Sequence, residues 1–350
     1  MLIRSLLGAA ALAAVAVGPL LAQDITLRAV ANSNTEDEDY DGLIVFKDFV
    51  EKASNGAIAV ELFIGTQLCA NGTECYQAVE DGSVDIYITT SGGVANIHPY
   101  IQVLDLPYVM TSDRVAEAVL SGPFTRALRD RILADSDGRV RLMTIGNTGG
   151  WRSFANTRRE VRGPDDLAGL KLRTVPADLP QELVRALGAA PTPIPWPELF
   201  TSLQTGVVEG TANGITDIMN MKFPDAGLKY LTLDEHAYMG ALWIMNNEVF
   251  TGMSPELRRV VVDGFAALQQ ATFASPKRKS IKAYEDFAAA GGRVYVPSPA
   301  EKAALRDRAA PVYDWFRKSV EGGSEFLDLL LAEAQKAEAA LAAEYETDVN

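Results

Sequence analysis

Arg152 and Arg173 are the side chains of this sequence best suited to chemistry, and that chemistry is the capture of an anion. An arginine is a planar, permanently charged fork whose parallel N–H groups match the two oxygens of a carboxylate. Arg152 follows Gly149-Gly150-Trp151 on one extended stretch. A turn at Gly163-Pro164-Asp165-Asp166-Leu167-Ala168-Gly169 leads to a second stretch over 170–175, where Val175-Pro176 ends the strand and leaves Arg173 near its carboxyl end. Ligands of open α/β sheets collect outside the carboxyl ends of strands. The same arginine would serve equally in a surface ion pair with a nearby Asp or Glu. Thr89-Thr90-Ser91-Gly92-Gly93 offers hydroxyls and glycines suited to a polar ligand, and suited as well to an ordinary turn.

Turnover lacks its usual sequence signs. His98 and His236 lie far apart, without the spacing of metal ligands. A Gly-x-Ser-x-Gly nucleophile turn, a Walker loop and a dinucleotide fingerprint are all missing. Carboxylates are abundant, so a glycosidase-like acid pair stays open, but nothing singles one out. The acidic run Glu36-Asp37-Glu38-Asp39 lacks the spaced ligands of a calcium loop and reads as a solvated face. Arginines on strand ends with no nucleophile predict binding without turnover, and neither a cofactor nor a metal.

The elements that must hold these side chains alternate along the chain. Strands over 25–31, 58–63 and 84–89 are separated by helices, one marked by Leu43, Phe46, Phe49 and Val50 at helical spacing and one closed by Gly82. That pattern argues βαβ units and a parallel sheet. A second strand series begins at 140–145 and is followed by a helix over 179–187. Prolines 191, 193, 195 and 197 stiffen the connection around Trp196, and Pro197 opens a helix whose Leu199 and Leu203 share a buried face. The strand over 207–214 presents Asn213 at its end. An apolar stretch over 238–250 is long enough to pass between domains, and Ser254-Pro255 starts a helix that runs to about residue 290. Ser298-Pro299-Ala300-Glu301 has capping-box spacing. With no repeat, linker or clean boundary, the chain reads as an α/β protein of two interleaved lobes.

Composition sets the outer limits. The 350 residues are 48% hydrophobic and 22% charged, the balance of a soluble globular protein with room for two domains. A net charge of −14 disfavours nucleic acid and anionic membrane surfaces as partners. Arg4, the apolar run 6–17 and Leu20-Leu21-Ala22 form a secretory signal peptide over 1–22, so the mature protein is expected to be exported. In that setting Cys69 and Cys75 read as a disulfide, which would stabilise the fold by about 2–3 kcal/mol in the chain-entropy view. Their spacing suits no usual redox pair, and no histidine is near enough for zinc.

The run Arg152…Asn156…Asp166-Leu167…Gly169-Leu170-Lys171-Leu172-Arg173 is continued by Pro195-x-x-Glu198-Leu199-Phe200-x-x-Leu203-Gln204-Thr205-Gly206-Val207-Val208-Glu209-Gly210. Together they resemble the motifs of substrate-binding proteins of TRAP (tripartite ATP-independent periplasmic) transporters. Gln67-Leu68, Asp81-Gly82-Ser83-Val84-Asp85 and Leu104-Asp105-Leu106-Pro107-Tyr108 fit in the same order, so the likeness spans about 25–247. It implies a two-lobed periplasmic-binding-protein fold with a helical C-terminal region. The expected lobes are 23–149 with about 238–276, and 150–237 with about 277–320, followed by a C-terminal helix over 321–350. It further implies a monomer that closes over a small organic acid and delivers it to the small and large integral membrane subunits of the transporter.

By the same resemblance Arg173 matches the arginine that clamps the ligand carboxylate, and Arg152 a second arginine of the cleft. Asn213 matches an asparagine that helps hold the acid, and Trp196 an aromatic of the pocket. Thr90 and the loop at Asn32 would contribute from the other lobe, while Trp151 and Trp243 offer further rings to stack on a ligand. Three departures limit the transfer of any one substrate: Cys69 replaces a glycine, Ala212 and Gly214 flank Asn213 in place of glutamate and proline, and Pro176 removes a polar side chain. An exported sensor lobe, or an exported lyase or isomerase acting on an acid, is the alternative reading.

Overall fold

The computed structural model describes residues 25–349, and the secretory signal expected over 1–22 lies outside them. Its strands form one nine-stranded sheet in the order β2-β1-β3-β8-β4-β7-β5-β6, with β9 (Arg293–Tyr295) paired to β8. β1 (Ile25–Ala31) lies between β2 (Ile58–Ile64) and β3 (Ile86–Thr89), both parallel to it. The helix Glu38–Ala53 carries the chain to β2 and the helix Gly72–Glu80 carries it back to β3. The chain thus runs outward from β1 to β2 and back past β1 to β3, and a crevice opens at the carboxyl end of β1. The second half repeats the device. β5 (Lys171–Thr174) lies between β6 (Ala190–Pro193) and β7 (Gly210–Asn213), all parallel, with the helices Asp178–Ala186 and Leu199–Gln204 as connections.

Between the halves run two antiparallel strands, β4 (Val140–Asn156) and β8 (Tyr230–Asn246), each 17 residues long. Both are buried along nearly their whole length, so neither shows the alternation of buried and exposed residues that marks a strand with one face in water. The stretches expected at 140–145 and 238–250 are parts of these crossing strands. Asn147 faces Gly240 but Trp151 faces Tyr238, so β4 bulges at Thr148-Gly149-Gly150. Gly149 and Gly150 adopt φ of 75° and 85°, a region open to glycine at little cost. The Asn147 amide ties the bulge down, donating to the carbonyls of Gly150 (3.1 Å) and Met239 (3.2 Å) and accepting from the Gly150 N–H (2.8 Å).

The helix Pro255–Ala289 spans both halves: Phe265 and Leu268 pack with Phe46 in one core, and Phe287 packs with Phe223 in another. Pro276 lies inside it and against the Gly150 bulge. The helix Gly323–Val349 is anchored through Phe326, Leu327 and Leu330 in the largest core cluster. Ser298 and Glu301 form the expected capping box. Cys69, ahead of the helix Gly72–Glu80, is bridged to Cys75 near the start of that helix, with their Cα atoms 5.2 Å apart. Among the described residues no helix is long and apolar enough to cross a membrane.

Two sequence expectations are corrected. The acidic run is not a solvated face, because Asp37, Glu38 and Asp39 are only 3%, 0% and 6% exposed. Asp37 caps the helix Glu38–Ala53, whose start is covered by the other half of the molecule. Trp243 is fully buried among Leu27, Phe46 and Phe265 and presents no ring to a ligand.

Candidate ligand-binding site

The crevices at the ends of β1 and β5 face each other across the crossing strands, and between them lies a cavity of about 240 Å³. At about 30 Å³ per water, that is room for roughly eight waters, or one compact solute. Arg152, Arg173, Asn213 and Trp196 line it from one half, and Asn32 and Thr90 from the other. Trp151 does not. Consecutive side chains on a strand point to opposite faces, so Trp151 turns away from the side Arg152 takes. Its indole N–H donates to Asp113 at 2.7 Å, its ring meets Tyr238 edge-on, and it lines a separate cavity of about 150 Å³ under the bulge.

Arg173 is 3% exposed at the end of β5, with Nε donating to the Ile194 carbonyl at 2.8 Å. Its guanidinium lies 5.8 Å from the centre of the Trp196 ring, which Phe223 steadies edge-on. Among the described residues no carboxylate forms an ion pair with it. Burial, and then the neighbouring Arg152, push its pKa down to about 9. At neutral pH it is still a cation, buried at the cavity wall with no ion-pair partner among the described residues.

Arg152 is better supplied. Nη1 donates to the Ala212 carbonyl at 2.8 Å, and Nη2 stands 3.6 Å from Asp105, which also accepts from the Ser91 hydroxyl. Its Nε is buried with no partner. Asn213, at the end of β7, donates to Asp217 at 3.0 Å and accepts from the Thr211 hydroxyl at 2.8 Å. One amide N–H is left over for a guest. Thr90 sits before the short helix Ser91–Val94 with its hydroxyl making no cap bond.

Sequence reasoning missed the acids of the cavity wall, Asp37, Asp39 and Asp217. Asp217 is pushed up to about 7 by burial first and Glu38 second, against Asn213, Arg152 and Arg173. Asp37 and Asp39 are held well above the usual carboxyl range by burial and then by neighbouring carboxylates. Position was the available signal: Asp37 follows β1 closely, and Asp217 lies one helical turn beyond Asn213.

The cleft is shut. Asn34 donates to the Asn220 carbonyl at 3.3 Å and Asn220 to the Glu36 carbonyl at 3.1 Å, across its mouth. The Leu179 N–H donates to Gln102 at 2.8 Å farther along the seam.

Fold and cavity together define a two-lobed binding protein that encloses a small solute. Residues 30–319 match the family described as bacterial extracellular solute-binding protein, family 7, and the chain belongs to that family. A solute-binding protein of Verminephrobacter eiseniae (strain EF01-2) is 31% identical over 289 residues, 82% of this chain and 84% of its own. The 2,3-diketo-L-gulonate-binding periplasmic protein YiaO of Escherichia coli (strain K12) is 28% identical over 322 residues, 91% of this chain and 94% of its own. A sugar acid binding protein of Advenella mimigardefordensis, solved in complex with galactonate, superposes with a TM-score of 0.83 at 25% identity, covering 89% of this chain and 98% of that one. The resemblance to TRAP substrate-binding proteins carried by the motifs is borne out.

Proposed function

We propose that the protein is the periplasmic binding component of a TRAP transporter and that its ligand is a small, hydroxyl-rich organic acid. The carboxylate docks on Arg173 and Arg152; the single observation behind this is the buried Arg173 guanidinium, which has no acidic partner among the described residues. Each charge-assisted bond contributes about 1.5–3 kcal/mol, so a bidentate clamp with two neutral bonds supports micromolar binding. At the far wall Asn32, Asn71, Thr73 and Asn96 stand beside Asp37 and Asp39, a set that mixes acceptors with donors and suits hydroxyl groups better than a bare alkyl chain. The relatives named for a diketogulonate and solved with galactonate support a sugar acid as the ligand class. A net charge of −14 repels an anion at long range, but with a Debye length of about 8 Å the two arginines govern the field inside the cleft.

In this reading the protein acts as a monomer. Lobes 23–149 with 238–276 and 150–237 with 277–320 close over the acid, and the small and large membrane subunits receive it chemically unchanged. A thermal-shift screen of sugar acids, hydroxy acids and dicarboxylates, followed by calorimetry, tests the reading. Stoichiometric micromolar binding of at least one acid, recovered intact after incubation, is the expected result. Failure of every acid to bind the purified chain would refute it, and a changed product would select the lyase or isomerase alternative.

A further inference from the structure

We infer that Asp37, Glu38 and Asp217 form a site for a hard divalent cation that ties the two lobes together when the cleft is shut. One carboxylate oxygen from each of the three lies within 4.8 Å of the others. Glu38 is fully buried, and neither of its oxygens has a hydrogen-bond partner. Such a group needs a compensating positive charge or a proton. Helix capping accounts for only part of the cluster. Asp37 spends one oxygen on the Asp39 N–H at 3.1 Å, as an N-cap does, but the buried Glu38 carboxylate accepts no hydrogen bond.

Among the described residues no lysine or arginine forms an ion pair with any of the three acids. Lys279 binds Asp41 and the Glu36 carbonyl, each at 2.7 Å. Arg173 and Arg152 point to Ile194, Trp196, Ala212 and Asp105. An all-oxygen set without histidine or thiolate is a hard set, suited to calcium or magnesium rather than to softer metals. The placement gives the ion a purpose. Asp37 and Glu38 open the helix that follows β1, whereas Asp217 lies on the helix Ile215–Asn220 that follows β7. The three come together only when the lobes meet. An ion here would bind the closed form preferentially, and by reciprocity it would tighten the organic acid as the acid tightens it.

The coupling rests on the acid-binding reading, but the site itself does not. The test uses the full mature chain freed of metals by a chelator and desalted, with calcium chloride or magnesium chloride as probe and choline chloride as the ionic-strength control. Calorimetry and thermal shift are run with and without the best acid from the ligand screen. One ion per chain, bound at about 10⁻⁴ M or tighter, with a Tm increase absent in choline chloride, is expected. Glu38→Gln should lower that affinity at least tenfold, and in the chelator it should melt no lower than the parent because it removes a buried charge. No heat and no Tm response to either cation, with or without acid, would overturn the site. An unchanged response in Glu38→Gln would overturn it too, as would a cluster that responds to an ammonium-bearing acid and to no metal. Acid binding with no cation binding refutes the clamp and leaves the transport reading intact, while cation binding with no acid binding does the reverse.

Discussion

Arg173 has charge, planarity and burial at once, and its substitutions separate these. In Arg173→Lys the positive charge remains but the parallel donor pair is lost, along with the contact over Trp196. Losing one charge-assisted bond predicts a ligand Kd about 10- to 150-fold higher by calorimetry. Arg173→Ala should abolish binding altogether. A second residue-scale expectation concerns pH. His98 is buried between Tyr76 and Tyr100, its ring nitrogens 2.6 Å and 3.1 Å from their hydroxyls, and burial lowers its pKa to about 4. The unfolded chain titrates near 6.5 and so binds the extra proton first. The stability this neutral ring contributes is therefore complete above about pH 6.5 and drains away as pH falls toward 4, on the order of 2–3 kcal/mol in all. Urea midpoints between pH 7 and pH 4 should fall steeply for the parent and less steeply for His98→Gln. The arginines were legible because their role depends on side-chain type and strand position. The acidic wall was not, because a run of four acids looks solvated until the other lobe is placed over it.

At the scale of elements, the disulfide and the bulge show what local sequence can and cannot state. Cys69 and Cys75 pair as spacing and export suggest, but the loop they close carries Asn71 and Thr73, both on the cavity wall. Cys69→Ser should thus cost about 2–3 kcal/mol of stability and also weaken the acid several-fold, since the free loop must be ordered again on binding. A lower melting temperature with wholly unchanged affinity would detach that loop from the site. β4 and β8 were visible only in pieces, because burial on both faces erases the two-residue period and the glycines at 149 and 150 interrupt the run. Gly214 is explained by the same bulge: a Cβ there would collide with the Gly149 carbonyl, so the start of the helix Ile215–Asn220 lies backbone to backbone on it. That contact joins residues 65 positions apart in the sequence, and no local pattern announces it. Trp151 was misplaced for a simpler reason. Its neighbour Arg152 was assigned to the cleft, and strand alternation sends the tryptophan the other way.

For the whole molecule the question is whether closure carries the binding energy, and the seam supplies a direct probe. Gly92, in the short helix Ser91–Val94, lies so close to Val175 of the opposite lobe that a Cβ on it would overlap the valine Cβ and both methyls. Its backbone is ordinary helix, so alanine brings no conformational strain of its own. The overlap exists only while the lobes are shut. Gly92→Ala should leave the ligand-free protein as stable as the parent and burden only the closed form, by about 1–3 kcal/mol for an overpacked contact. A ligand that must select the closed form feels that burden as an affinity lower by roughly 10- to 100-fold. The fall in radius of gyration that small-angle scattering should register on saturating the parent would need correspondingly more acid in the variant. Val175→Gly removes all three colliding atoms and should restore the affinity of Gly92→Ala in the double variant. If Gly92→Ala binds as tightly as the parent, or the second substitution rescues nothing, ligand affinity does not depend on bringing these two surfaces together.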